Sequence, residues 1–251
     1  MAKNLFEGVA PLNPKRHGKS FLSTDSGYSF AAEQPSVPLQ VSEFAAVARE
    51  YAIVFLQKGE TFHPIAVLGL AQSENLFVDE SGAWEAKYIP AFYRMYPFVL
   101  AKVKDEKNMA LGIAENYEGF NEDGDGDPLF DKSGNADKLV KNVEAFAQQA
   151  ARAAVQTDRF INDLEGLDIF APIQIKLKGP GDASRAIGGL YVVDRKKLGE
   201  VKAETLGKLT KSGALEAIYS HLGSLRNLKA LAGRLGHETD LPENDELDAL
   251  N

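Results

Sequence analysis

The chain has 251 residues, of which 44% are hydrophobic and 25% charged, a composition typical of a soluble globular protein with one large or two small domains. It contains no cysteine, which excludes disulfides, thiolate catalysis and cysteine-ligated metal centres. The formal net charge is -8, but six acidic residues fall between 237 and 251, and the rest of the chain is nearly balanced. Because nucleic acids and anionic membranes are bound through excess Lys and Arg, we expect neither as a partner.

The two ends of the chain differ in composition from its middle. Residues 1–36 are rich in Pro, Gly and polar residues without a sustained period, which predicts an N-terminal arm draped over the body. A single domain is predicted over residues 37–236. Residues 237–251 form an acidic tail that we expect to be mobile, because it cannot bury enough apolar surface to offset the entropy lost on ordering.

The sequence predicts neither a conventional secretory signal nor a transmembrane segment. The N-terminus has no apolar run long enough for a secretory signal, and no window approaches a transmembrane span. We therefore expect no transmembrane segment and a cytoplasmic location. The alternative is a surface-associated protein that is exported by a signal-independent route.

Helical and strand-like patterns alternate along the body. In chain order the patterns predict a short helix at 41–51, strands at 52–57, 63–70 and 76–78, a hairpin from 98–104 and 109–115, a loop at 119–135, a long helix at 136–167, strands at 169–178 and 187–193, and helices at 203–211 and 214–235. Strands and long helices are segregated rather than strictly alternating. The predicted fold class is therefore α+β, with a mostly antiparallel sheet, a long central helix and a C-terminal helical segment.

Residues 84–98, WEAKYIPAFYRMYPF, hold the only tryptophan, three tyrosines, two phenylalanines and two prolines. Such a segment predicts a rigid aromatic platform, either a folding nucleus or a ligand-binding surface formed by Trp84, Tyr88, Arg94 and Tyr96. A guanidinium among tyrosines can stack on the rings and still present two donors to a carboxylate. Alternatively, Arg94 ties the block to an acidic residue elsewhere in the fold.

The order of the motifs also suggests a family. The segments PLNPKRHG, YSFAAEQPSVPL, SEF, YIPAFYRMYPF, LFDKSGN, GLYVVDRKKL and SGALEAIYSHLGSLRNLKAL follow one another along the chain. In this order the sequence resembles the bacterial SapC family from about residue 10 to 235. The resemblance implies an association with surface layers, and members of that family are often found beside outer-membrane uptake receptors and flavin-dependent halogenases. It implies no catalytic residues.

The loop NEDGDGDPLFD is the one candidate metal site, because Asp123, Asp125, Asp127 and Asp131 could direct carboxylates at a calcium ion. An EF-hand is excluded. Counted from Asp123, its glycine and glutamate positions hold Pro128 and Gly134, and counted from Asn121, the glutamate position holds Lys132. The alternative is a solvated loop whose aspartates turn the chain. No other cofactor is expected.

Two of the four histidines, His17 and His221, lie in motifs that carry the resemblance, and we take them as candidate ligand-binding residues. Ser224 follows His221 on the same helical face, but there is no GxSxG elbow to support a hydrolase triad. A histidine that donates a hydrogen bond to the arm or to a backbone carbonyl is the favoured interpretation.

Together these features predict an accessory or binding protein linked to surface-layer or envelope-uptake systems. Its expected partner is a protein, a peptide or a small molecule, with envelope or surface-layer components as candidates. The alternative is an enzyme, or the partner of an enzyme, that acts on a small or peptide substrate at the aromatic block. An enzyme would bring His17, Arg94 and His221 together around one deep pocket, whereas a binding protein would show a flat, exposed aromatic patch.

Overall fold

The computed structural model describes residue 5 and residues 7–23, 27–102, 109–178 and 184–240. The strands of these residues are β1 (Val9–Pro11), β2 (Phe21–Leu22), β3 (Ser36–Pro38), β4 (Ala52–Lys58), β5 (Thr61–Val67), β6 (Phe98–Lys102), β7 (Met109–Ala114), β8 (Phe120–Asn121), β9 (Asp127–Pro128), β10 (Phe170–Lys178), β11 (Ser184–Val193) and β12 (Glu238–Asp240). The helices are α1 (Pro14–His17), α2 (Phe44–Val47), α3 (Ala91–Met95), α4 (Lys138–Glu165), α5 (Arg195–Gly199), α6 (Ala203–Ser212), α7 (Ala214–Ser224) and α8 (Asn227–Arg234).

The largest sheet has the strand order β12-β10-β11-β4-β5-β3, and all its neighbouring strands are antiparallel. Helix α7 packs on β4 and β11, and α4 reaches β5. The main hydrophobic core lies between this sheet and the helices, and includes Phe55, Ile175, Ile218 and Leu222. The predicted α+β class, with a mostly antiparallel sheet, a long helix and a C-terminal helical segment, is confirmed.

A smaller core lies beside the first one. The antiparallel sheet β1-β7-β6 contributes Phe98 and Ile113, which pack with Leu129, Phe130 and Val140. Helix α4 joins the two cores: its first turn carries Val140 into the smaller core, while Phe160, Ile161 and Leu164 belong to the larger one. The aromatic block also connects them, since Tyr93 is buried in the larger core and Met95 packs against the smaller.

The long helix follows its predicted range of 136–167 closely. It begins after Asp137, whose side chain accepts a hydrogen bond from the Lys138 amide, and it ends before Gly166. The predicted helix at 214–235 is instead divided into α7 and α8. The run at 76–78 forms only an isolated bridge, between Val78 and Trp84, and the predicted helix at 41–51 shortens to a 3₁₀ turn followed by α2.

The N-terminal residues, predicted as an arm, take part in strand pairing with the body. Within that segment, β1 pairs with β7, and β2 pairs with both β8 and β9 to form a third small sheet. Residues of this segment therefore contribute strands to both small sheets, and Ser36 begins β3 of the largest sheet. Strands of two or three residues are too short to show the alternation by which strands are predicted.

The predicted tail begins with ordered structure. Strand β12 pairs antiparallel with the edge strand β10, with Leu177 opposite Thr239. Residues 241–251 lie outside the described residues, so the expected mobility of that part stays a prediction. Of the helices described, none combines the length and the apolar composition that crossing a bilayer requires.

Candidate functional site

Two carboxylates and a tyrosine from the segment around α2 hold the aromatic block in place. The buried carboxylate of Glu43 accepts hydrogen bonds from the Tyr88 hydroxyl at 2.9 Å, the Ala91 amide at 2.7 Å and the Gln40 amide at 2.9 Å. The Glu50 carboxylate accepts from the amides of Lys87 and Tyr88, at 2.9 and 3.0 Å. The backbone at the start of α3 is therefore fixed by side chains about 40 residues earlier in the sequence.

Trp84 is half-buried, and its indole N–H donates to the Tyr51 hydroxyl at 2.8 Å. That hydroxyl in turn donates to the carbonyl of Tyr88. The indole also packs edge-on against Tyr28 and parallel to Phe77, with ring centroids 5.5 and 6.4 Å away. Trp84 thus supports the block from inside, in agreement with the predicted rigid platform.

Beside the block lies a groove of about 290 Å³ that is open to solvent, which we call the aromatic groove. Five of the twelve described residues that line it are aromatic, one is basic and one is acidic: Leu22, Ser23, Gly27, Tyr28, Phe30, Tyr93, Arg94, Tyr96, Pro97, Tyr117, Asp127 and Leu139. Three of the rings form a cluster. Phe30 lies 4.2 Å from Tyr96 between ring centroids, and Tyr117 meets both rings edge-on at 5.9 and 5.2 Å.

Arg94 lies at this groove with its guanidinium fixed on several sides. Its Nε–H donates to the carbonyl of Ile89 at 2.9 Å, and Nη2 approaches the Tyr88 hydroxyl at 3.4 Å. The charge lies over the rings of Tyr88 and Phe146, 5.5 and 5.1 Å from their centroids. The alternative of an ion pair with an acidic residue elsewhere is not realised within the described part of the chain.

Three tyrosine hydroxyls at or beside the groove, those of Tyr28, Tyr88 and Tyr96, are neutral at ordinary pH. Burial, together with the neighbouring Glu43 carboxylate, raises the pKa of Tyr88 to about 12. Burial also raises the pKa of Tyr28 and of Tyr96, although at Tyr28 the Arg94 charge opposes the rise. These phenols therefore stay protonated and contribute no negative charge that could neutralise Arg94.

His221 is fully buried and bonded to backbone through both ring nitrogens. Its Nδ1–H donates to the carbonyl of Ile53 at 2.8 Å, and Nε2 accepts from the amide of Val193 at 3.0 Å. In the register of β4 and β11, Leu190 lies opposite Leu56 and Tyr191 opposite Phe55. If that register continued, Val193 would face Ile53, so the imidazole stands where a bond between the two strands would otherwise form.

The neighbouring Ser224 completes this insertion. Its hydroxyl accepts from the amide of Ile53 at 2.9 Å and donates to the carbonyl of His221 at 2.6 Å. Since both ring nitrogens of His221 and the hydroxyl of Ser224 are engaged with backbone, this pair does not form the core of a hydrolase triad. The favoured interpretation, in which the histidine donates to a backbone carbonyl, describes His221 correctly.

His17 is also buried, at the end of α1. The Asn13 amide donates to Nδ1 at 3.0 Å, so the ring proton lies on Nε2, which donates to Glu115 at 2.8 Å. Arg16 binds the other oxygen of that carboxylate. This pair of contacts fixes the N-terminal residues to the end of β7. Neither histidine lines the aromatic groove, so His17, Arg94 and His221 do not converge on one pocket.

The aspartate loop packs along β2, where Gly126 has a φ of +95° and a Cβ would lie 2.1 Å from the Leu22 carbonyl oxygen. Asp123, Asp125, Asp127 and Asp131 are all exposed. The Asp131 carboxylate accepts hydrogen bonds from the backbone amides of Ser133 and Asn135 and from the side chain of Asn135. The two bonds from Asn135 are the main reason why the pKa of Asp131 is lowered. Among the described residues no three acidic or histidine side chains are grouped to hold a metal ion. The calcium site and its alternative, a solvated loop, therefore both stay predictions.

A second, wider depression of about 480 Å³ lies between α4 and the start of α7. It is lined by Arg159 together with the carboxylates of Asp163 and Glu216, so charges of both signs share one surface. It contains none of the residues that the sequence identified as candidates. Although it is larger, it lacks the concentration of rings that distinguishes the aromatic groove.

Sequence reasoning missed several residues of the site, although a signal was present for some of them. Tyr28 and Phe30 fall in the segment YSFAAEQPSVPL, and Glu43 falls in SEF, both of which carry the family resemblance. Tyr117 lies in no such segment. Its place beside Tyr96 follows from the strand pairing of β6 with β7, which brings the residues after β7 back to the aromatic block.

Comparison with known proteins gives a family and no further neighbour. The family model described as SapC matches residues 12–231, which include the aromatic block, the long helix, α7 and the first part of α8. No curated protein and no solved structure matches the chain. Since the match covers well over half of its length, the chain belongs to the SapC family.

Proposed function

We propose that this protein acts by binding, as an accessory factor of surface-layer or envelope-uptake systems, and that the aromatic groove is its recognition site. The proposed link to these systems rests on what the family resemblance implies. The groove is the observation that carries the binding role, because it gathers aromatic rings and one positive charge on a surface open to solvent. Rings and arginine are the residue types most enriched where proteins bind partners.

Rigidity supports the same proposal. Glu43, Glu50 and Tyr51 bind the backbone of the block directly, so the segment that carries Tyr93, Arg94 and Tyr96 is held in position before any ligand arrives. A preformed site loses less conformational entropy on binding than one that has to be ordered. The alternative enzyme hypothesis required His17, Arg94 and His221 around one substrate, and the structure engages the three side chains in separate places.

The test measures binding of the purified protein to isolated envelope components, namely surface-layer protein and outer-membrane uptake receptors. Wild type is compared with Arg94→Gln, which removes the charge of the groove, and with Arg152→Gln, which makes the same change on an exposed site of α4 outside it. We expect wild type and Arg152→Gln to bind at least one component and Arg94→Gln to bind it less. Equal binding by all three proteins, or none by any, would refute the proposal.

The compartment is part of the proposal and needs its own measurement. Cell fractionation with an antibody against the protein would place it with the cytoplasm or with the envelope. An accessory role at the envelope predicts that at least part of the protein is recovered with envelope material and is released from it by salt, as expected for a factor held by contacts rather than by a membrane span.

A further inference from the structure

The three clustered rings of the aromatic groove offer a surface suited to another ring. Phe30 and Tyr96 are inclined by 31°, and Tyr117 stands nearly perpendicular to both, at 86° and 81°. Such a cluster presents both faces and edges, the two arrangements in which aromatic groups attract one another beyond simple area burial. A planar aromatic group is therefore better matched to this wall than a flexible aliphatic chain.

Arg94 supplies the polar contact at the same place. Its Nε–H is used by the Ile89 carbonyl, and the flanking rings of Tyr88 and Phe146 restrict how the guanidinium can turn. Within the described part of the chain, Nη2 has only the long contact to the Tyr88 hydroxyl, so the edge that carries Nη1 and Nη2 is the one left for a ligand. Two parallel N–H donors in one plane match the two oxygens of a carboxylate.

The remaining charges narrow the choice of anion. Among the described residues that line the groove, Arg94 is the single basic one and Asp127 the single acidic one. A phosphate monoester carries close to two negative charges, so beside one guanidinium it would leave one of them unmatched. A quaternary ammonium group would suit the rings but would be repelled by Arg94. A singly charged carboxylate satisfies the one guanidinium without excess charge.

The size of the groove sets the limit on the ring system. A volume of about 290 Å³ lies at the small end of ligand pockets, which corresponds to one ring or two fused rings with a short substituent. We propose that the aromatic groove binds a planar aromatic carboxylate, with its ring system against Phe30, Tyr96 and Tyr117 and its carboxylate on Nη1 and Nη2 of Arg94. This inference rests on the proposed function, because it names the ligand of the same groove.

The test uses three probes with the same ring system and different charge, measured by titration calorimetry on the full chain. The probes are 2-naphthoate, the neutral 2-naphthamide and the cationic 2-naphthyltrimethylammonium ion. We expect 2-naphthoate to bind about tenfold more tightly than 2-naphthamide, because a charge-assisted bidentate pair adds roughly that factor. In Arg94→Gln this preference should disappear while the amide binds as before, and in Arg152→Gln it should persist. Arg94→Lys, which keeps the charge but loses the fork, should retain only part of it.

Phe30→Leu tests the contact with the three clustered rings separately. It should weaken the binding of 2-naphthoate and of 2-naphthamide by the same factor. The proposal is overturned if no probe binds at millimolar concentration, if acid and amide bind equally, if the ammonium probe binds most tightly, or if the preference survives in Arg94→Gln. If Arg94→Gln no longer binds the envelope component but wild type does not bind 2-naphthoate, the ligand class is wrong and the binding function stands. If 2-naphthoate binds as expected but no envelope component does, the ligand class stands and the proposed role at the envelope is wrong.

Discussion

Acid should destabilise this protein through His221, and the effect can be separated from that of every other group. Burial lowers the pKa of this imidazole from 6.5 to about 4, because the charged ring would lie in the core without water. In the folded protein the neutral ring also accepts the Val193 amide, which a protonated ring cannot do. The unfolded chain has no such restriction and takes up a proton below about pH 6.5.

The magnitude follows from the two pKa values. The stabilising contribution is fully present above pH 6.5, is lost as the pH falls from 6.5 towards 4, and changes little below that. The difference between 6.5 and about 4 corresponds to about 3 kcal/mol of unfolding free energy. That amount is a large part of the stability of a typical domain.

The assay is urea unfolding of wild type and His221→Gln at several pH values between 7.5 and 4. Glutamine carries one donor and one acceptor and does not titrate, so it can replace both backbone contacts in part. His221→Leu replaces neither, and we expect it to cost about 2 to 6 kcal/mol at pH 7.5 because the Ile53 carbonyl and the Val193 amide are left unpaired in the core. The stability gap between wild type and His221→Gln should narrow by about 3 kcal/mol on going to pH 4. A gap that stays constant over this range would show that His221 is not held neutral, and would refute the reasoning.

Three further predictions concern the other parts of the fold. Glu43→Gln should lower the unfolding free energy by about 1 to 3 kcal/mol, because the new amide N–H₂ would face a backbone donor; Glu144→Gln, at an exposed position of α4, is the matched control, and equal stabilities would contradict the role given to Glu43. Millimolar calcium should leave the melting temperature unchanged, because the described carboxylates of the aspartate loop are not grouped around one point; a rise that Asp125→Asn abolishes would show instead that the loop binds calcium. Deletion of residues 241–251 should leave the melting temperature as it is, whereas deletion of 238–251 should lower it slightly, since the second change also removes the pairing of β12 with β10; an equal melting temperature for both would mean that this pairing adds no stability.

Local sequence patterns were sufficient to predict the bounds of a helix when the signals lie within the helix itself. Helix α4 was predicted almost to its ends because an uninterrupted apolar period and Asp137 at its start are both properties of consecutive residues. The division between α7 and α8 depends on a distant contact. Asn227 donates to the carbonyls of Ala48 and Tyr51, more than 170 residues earlier, and no helical period contains that information.

The candidate site shows the same distinction. The composition of the aromatic block predicted a rigid platform, but its supports, Glu43, Glu50 and Tyr51, lie in a separate segment that is joined to it only by folding. For His221 the sequence indicated a bond to a carbonyl. It did not indicate that the ring would stand between two strands, because the partners Ile53 and Val193 are brought together only by the pairing of β4 with β11.

Because α4 contributes to both hydrophobic cores, it affects how cooperatively the protein unfolds. With 28 residues, the helix is about 42 Å long and carries side chains of the smaller core near one end and of the larger core near the other. Its central turns cannot unwind without pulling Val140 or Phe160 out of its packing. Amide hydrogens in these turns should therefore exchange with solvent at one common slow rate, shared with β4 and with β7, so that the two cores lose their structure as a single cooperative unit.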